Sequence, residues 1–376
     1  MFFKIRKYLC FIILFFLALP SLTSVVYAQQ VSPAPQKAEY MKATITASEG
    51  IKKNPYSDYQ STNQILDVTI LDGPEAGQSV QVQYDSQNIE DLKLNIGDTV
   101  ILAKTTSASG QANYTIDSKY RLSEITLIAI AFFILVLVIV GWKAIGSFIG
   151  LGISLAIIFI YIVPQILAGV DPMTVCLIGS VIILLLTTYT AHGISKQTTI
   201  ALVSTLVTLF LTFGISILVV QFAMLTGYVD ENSIAIHFGT GHLINVKGLF
   251  LGGIIIGSLG ALNDITTTQA TTMFELAKTD ITLNKTQLFK KGLVVGREHV
   301  ISMMNTLVLA YAGASLTVFI FLFYNSSYFP LWVILNSETL NEEIIRTIAG
   351  TTGLVLVVPI VTFIAAYFAT KTPKSV

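Results

Sequence analysis

From residue 123 onward the chain reads as seven long apolar runs, near 123–142, 145–168, 173–193, 199–225, 247–276, 293–323 and 346–370. Each exceeds the roughly 20 residues that carry an α-helix across a bilayer, so the pattern predicts an all-α transmembrane bundle of about seven helices. Before them the periodicity changes. Leu66, Val68 and Ile70 are interleaved with Asp67 and Thr69, and after the turn DGPEAG the apolar positions Val80, Val82 and Tyr84 alternate again. The segment LNIGDTVILAK adds a Gly-Asp turn that leads into another strand. Alternation places every second side chain on one buried face. About five such strands between residues 40 and 120 predict a small β-barrel of the OB or SH3-like kind. Its groove shows no basic or aromatic cluster for holding an oligomer, which favours a structural or docking module.

The N-terminus carries its own pattern. MFFKIRK is a short basic start, YLCFIILFFLALP is apolar, and SVVYA ends in small residues. This order is that of a secretory signal peptide over residues 1–28, with cleavage expected after Ala28 and an uncleaved anchor as the alternative. The expected organisation is then a linker at 29–39, an extracytoplasmic β domain at 40–120, a seven-helix transmembrane domain at 123–370 and a cytoplasmic tail at 371–376. Positive charge tests the orientation. With the β domain outside, the loops holding Lys143, Lys196, Lys278, Lys285, Lys290, Lys291 and Arg297 fall inside, as does the tail with Lys371 and Lys374. The outer loops offer only Lys247 and Arg346, beside Asp171, Asp230, Glu231, Glu338, Glu342 and Glu343. That asymmetry obeys the positive-inside rule and supports an odd number of spans.

Composition agrees. The chain is 53% hydrophobic and 12% charged, against about 25% charged in a soluble domain. A formal net charge of zero argues against a nucleic-acid partner. The two cysteines, Cys10 and Cys176, both lie in apolar stretches and build neither a disulfide framework nor a thiolate metal site.

The polar residues inside the fifth run carry the candidate chemistry. Residues 257 to 276 read GSLGALNDITTTQATTMFEL. Gly253, Gly257 and Gly260 form a small-residue face suited to close helix packing. Asp264 follows, roughly 24 Å down a regular helix from Gly248 at about 1.5 Å per residue. A charge near the bilayer centre costs about 2.5–3.5 kcal/mol on insertion scales. At helical spacing Thr267, Thr268, Thr271 and Glu275 share its side, with Asn263 at the border. Such a stripe must look into the bundle or a wet cavity, although threonine hydroxyls also bond back to their own helix without any ligand. The sixth run, GREHVISMMNTLVLAYAGASL, supplies a partner with Arg297 at its entrance and Asn305 and Tyr311 deeper in. Joined by a basic loop, the two helices are expected to pack antiparallel and bring Asn305 toward the level of Asp264.

GSLGALNDITTTQA together with GREHVISMMNTLVLAYAG resembles the signature of the YibE/F family of bacterial multi-pass membrane proteins. The resemblance covers roughly residues 60 to 370 and extends to the layout of signal sequence, small external β domain and seven-helix core. Ile265 and the Thr-rich run stand where family members more often carry Val and a Ser-rich run, which leaves Asp264 in register. The resemblance implies architecture and motif positions rather than an activity.

Enzyme chemistry finds no footing. His237 and His242 flank FGTG without a carboxylate or Cys at metal-ligand spacing. HExxH, Walker A and dinucleotide motifs are absent. His192 and His299 sit near the cytoplasmic surface, out of reach of a buried serine, and Asp264 has no second membrane carboxylate, since Asp171 lies in an outer turn. The expected protein is therefore a non-enzymatic, cofactor-free and metal-free membrane protein of the bacterial plasma membrane. Its first reading is a transporter of a small solute or ion, with Asp264 as counter-charge or proton carrier and Asn263, Asn305 and the threonines as ligands. The alternative is a sensor or assembly subunit whose external domain binds a partner and whose helices relay the signal. Lipid is the expected partner, with a membrane protein or a second copy of the chain as further candidates.

Overall fold

The computed structural model describes residues 38–53, 61–87, 94–106, 112–228, 244–324 and 328–370. The signal segment, nearly all of the linker, the His237–His242 loop with Asp230 and Glu231, and the tail with Lys371 and Lys374 lie outside the described residues. Internal packing divides the chain into two units, one running to Ile139 and one starting at Val140.

The first unit holds strands β1 (Glu39–Lys53), β2 (Ser61–Ile70), β3 (Ser79–Gln87), β4 (Thr99–Thr106) and β5 (Ala112–Lys119). They form one antiparallel sheet in the order β3-β2-β1-β4-β5. The alternation behaves as period two requires. Met41, Ala43 and Ile45 of β1 meet Leu66, Val68 and Ile70 of β2, Val82 of β3, and Val100 and Leu102 of β4 in one core. Register carries this through the sheet, with Val68 opposite Ile45 on one side and Val80 on the other. Gly73 and Gly77 in the DGPEAG turn, and Gly97 in NIGD, take positive φ that only glycine adopts without strain.

The sheet curls until β3 and β5 approach, yet they exchange no backbone pairing. It is a half-barrel rather than the closed barrel expected from the alternation. Alternation fixes which face of each strand is buried and says nothing about whether the two edge strands meet. Side chains hold the curl instead. Glu75, in the β2–β3 turn, accepts from Lys104 of β4 and, at 2.8 Å, from the hydroxyl of Tyr114 of β5. Those hydrogen bonds, Lys104 first and Tyr114 second, hold the Glu75 carboxyl below its ordinary range.

Among the described residues, seven helices are long and apolar enough to cross a membrane. The first, α1 (Leu122–Val140), ends the sheet unit, and none of its residues is buried. The second unit runs through α2 (Lys143–Ile157), a π-helical turn (Ile158–Ile162), α3 (Val163–Leu167), α4 (Pro172–His192), α5 (Lys196–Phe222), α6 (Val246–Thr279), α7 (Lys285–Ala314), α8 (Leu316–Tyr324), α9 (Leu331–Leu335) and α10 (Glu338–Ala369). Helix α6 is central, packed by α4, α5, α7 and α10, while α2 packs on α4 and α10 also touches α5 and α7. Close approach is set by glycines. A Cβ on Gly353 of α10 would lie 2.5 Å from Thr212 of α5, and one on Gly296 of α7 would lie 2.5 Å from Val358 of α10.

Two boundaries differ from the hydropathy pattern. The sixth run, placed at 293–323, is instead α7 from Lys285 to Ala314 and a separate α8 beyond Ser315. A capping box at Asn284, with Gln287 answering its backbone, starts α7 eight residues earlier than the apolar run. Likewise α10 starts at Glu338 behind the N-cap Ser337, so Glu342, Glu343 and Arg346 are helical residues and not part of a loop. Charge marks the end of an apolar run, whereas the cap marks the end of the helix.

The Glu75 arrangement makes an acid-sensitivity prediction. A carboxyl held below its unfolded value stabilises the fold fully above the ordinary carboxylate range and loses that contribution as pH falls through the folded value. Glu75→Gln should therefore flatten the acid limb of the protein's thermal-unfolding profile between about pH 3 and 7. An unchanged pH dependence in differential scanning fluorimetry would count against the bridge.

Candidate functional site

Helix α6 is polar on two opposite sides, and the two sides differ. The inner side is buried and satisfied. Thr266 is fully buried and its hydroxyl meets that of Thr205 on α5 at 2.6 Å. Gln269 is 3% exposed and its amide nitrogen donates at 2.8 Å both to the Gly292 carbonyl of α7 and to the Thr362 hydroxyl of α10. One amide thus ties three helices. At the border, Asn263 accepts at 2.9 Å from the hydroxyl of Thr188 on α4. The two Thr-rich helix ends, TTYTAHG and NDITTT, therefore meet in space.

The outer side carries the stripe predicted from helical spacing. Gly257, Gly260, Asp264, Thr268, Thr271 and Glu275 all lie exposed on this face of the helical unit, with Thr267 partly covered. The Asp264 carboxylate makes no hydrogen bond or ion pair among the described residues. Thr267 and Thr271 donate to carbonyls of their own helix, at 2.9 and 2.8 Å, which leaves their oxygens as acceptors. Glu275 is drawn off to Lys278 at 2.6 Å. Beside the stripe lies a small polar pocket of about 140 Å³ lined by His192, Ser195, Gln197, Thr198, Ala201, Thr267 and Thr271.

The sixth-run residues divide. Antiparallel contacts of Gly292 with Met273, Gly296 with Gln269, and Tyr311 with Gly257 set the register of α7 on α6, which puts Asn305 within about a turn of the level of Asp264. Asn305 and Arg297 are exposed. Tyr311 sits on the far half of the helix, where its hydroxyl occupies the space a Cβ of Gly257 would take. Of the three small residues assigned to packing, Gly253 and Gly257 admit the Arg346 and Tyr311 side chains and Gly260 faces open space. Among the described residues, no three of His, Cys, Asp and Glu lie close enough to share a metal ion.

Thr188, His192, Thr266 and Gln269 were not singled out from the sequence. The one signal for them was the shared Thr-rich ending of the third and fifth runs, which reads as coincidence until the helices are seen packed.

Taken together, fold and site define a multi-helix protein of membrane type whose central helix has one satisfied and one open polar face. Residues 128–371 match the family described as YibE/F-like protein, and the chain belongs to that family. The same comparison found no similar protein among curated sequences and none among solved structures.

The two faces of α6 should separate in stability measurements. Gln269→Leu keeps volume but leaves Gly292 O and Thr362 Oγ1 without their donor, and should destabilise the bundle by about 1–3 kcal/mol. Thr268→Ala on the open face should stay within about 0.5 kcal/mol. Unfolding in detergent reads both; equal effects would contradict the partition.

Proposed function

We propose that this chain moves a small solute or ion across the bacterial plasma membrane along the open face of α6. One observation carries the reading: Asp264 is exposed and unpaired on a helix long and apolar enough to span a bilayer. A carboxylate facing lipid would cost several kcal/mol, so this face belongs to a wet groove. In it Asp264 serves as counter-charge or proton carrier. Thr267, Thr268 and Thr271 supply oxygens, and His192 joins them from the adjoining pocket, whereas Asn263 is committed to Thr188. In this reading the half-barrel, an OB-type module behind a cleaved signal peptide, lies outside the cytoplasm. The basic α6–α7 connection and the C-terminus lie inside.

Vesicles containing the purified protein and an enclosed pH-sensitive dye test this directly. With an imposed potential and a panel of monovalent and divalent cations outside, the wild type should pass protons or cations, and Asp264→Asn should cut the flux by about tenfold or more. Flux unchanged in a correctly folded Asp264→Asn protein would sink the proposal. In a background lacking Cys176, single Cys substitutions at Gly260, Thr268 and Thr271 should react with aqueous thiol reagents; uniform protection would argue for a face sealed between helices.

A further inference from the structure

On the N-terminal stretch of α6, ahead of Asp264, lies a second cavity, of about 430 Å³. Its walls are mostly apolar, including Ile158 and Ile162 of the π-helical turn, Val163 and Ile166 of α3, Ile256 of α6 and Val318 of α8. One end is charged. Thr339, Glu342, Glu343 and Arg346, all on the first turns of α10, project there. The volume falls within the roughly 300–1,000 Å³ of small-molecule sites, as does the combination of apolar walls with a few convergent polar groups.

Arg346 is the anomaly. Its guanidinium has five N–H donors, yet it donates no hydrogen bond among the described residues. Its nearest carboxylate oxygen, on Glu343, is 3.6 Å away, beyond hydrogen-bonding reach. The cation stacks over the Phe250 ring at 5.3 Å, and its Nε is buried with no partner. A second donor in the same state stands beside it. The Tyr311 hydroxyl is also buried without a hydrogen bond. Arg346 Nη1 and the Tyr311 hydroxyl overlie Gly253 and Gly257, one turn apart on one face of α6. A buried donor left unsatisfied is costly, so a guanidinium in that state beside Gly253 at the cavity wall calls for an acceptor from outside the chain. A planar guanidinium is matched by a carboxylate or phosphate oxyanion.

Acidic residues decide the rest of the ligand. Glu342, buried and already engaged within the protein, and Glu343 line the same end, so an anion alone would meet two carboxylates against one guanidinium. An ammonium on the same ligand restores the balance, because a carboxylate has about four acceptor positions and one partner does not exhaust them. We infer that this cavity binds a zwitterion with an apolar body, its oxyanion on the Arg346 guanidinium and its ammonium on the Glu342–Glu343 wall. A free aliphatic amino acid and an aminophospholipid share that chemistry. The site is independent of transport along the Asp264 face.

The test is binding to the full chain in detergent and in nanodiscs. Leucine should bind at least about tenfold more tightly than 4-methylpentanoate, which lacks the ammonium, or isoamylamine, which lacks the oxyanion. If the occupant is lipid, leucine fails to bind and phosphatidylethanolamine is instead retained over phosphatidylglycerol on purification from mixed nanodiscs. Arg346→Lys keeps the charge and removes the planar fork, and Arg346→Gln removes the charge; each should weaken the zwitterion several-fold, while isoamylamine is unaffected. Either half-molecule binding as well as leucine, no preference for either zwitterion, or unchanged affinity in both variants would overturn the assignment.

Discussion

Everything in the helical unit turns on one constraint: a polar side chain on an apolar helix must find a partner, on its own backbone or on another helix, or face water. Helix α6 meets the constraint in both ways. On its inner side Thr266 meets Thr205, Gln269 meets Gly292 and Thr362, and Ser258 bonds back to Ile255 of its own helix; the first two fix how α5, α7 and α10 sit on it. The glycines at 292, 296 and 353 then let the backbones close around those bonds. The hydroxyls of Ser204, Thr205, Thr208 and Ser216 on α5 donate to their own helix four residues back, so they enter the core without needing partners across it.

The outer side does not meet the constraint internally. Asp264 is unpaired midway along α6, and Arg346 Nε and the Tyr311 hydroxyl, beside its N-terminal half, find no acceptor. The glycines along this side differ: Gly260 faces open space, whereas Gly257 admits the Tyr311 hydroxyl. A helix designed only for packing would carry Leu or Ala at such positions. Small residues next to unsatisfied charge leave room, and room beside charge is what a ligand or water requires.

Much of this architecture was legible in the sequence. Alternation at Leu66, Val68, Ile70 and at Val80, Val82, Tyr84 marked β2 and β3 and their buried faces, and length with apolarity marked the helices. Helical spacing also grouped Asp264, Thr268, Thr271 and Glu275 on one side. That side could not be told from the one carrying Thr266 and Gln269, because hydropathy rates the two stripes alike and only the neighbours distinguish them. The Thr188–Asn263 bond joins residues 75 apart in the chain, beyond any local pattern. The ends of α7 and α10 were misplaced for a related reason: caps at Asn284 and Ser337 decide them through single hydrogen bonds that an average over an apolar window cannot see.

The separation of the two faces has a consequence for how such a chain can change. Substitutions on the Thr266–Gln269 side act on packing and should be felt wherever α5, α7 and α10 meet, since one amide serves three helices. Substitutions on the Asp264 side touch no interior bond, so this face is free to vary in chemistry while the bundle stays intact. A satisfied face beside an unsatisfied one lets a single helix hold the bundle together while its open side changes. The residues that break the apolar pattern of α6 are thus of two kinds, and the partner each one has, or lacks, tells them apart.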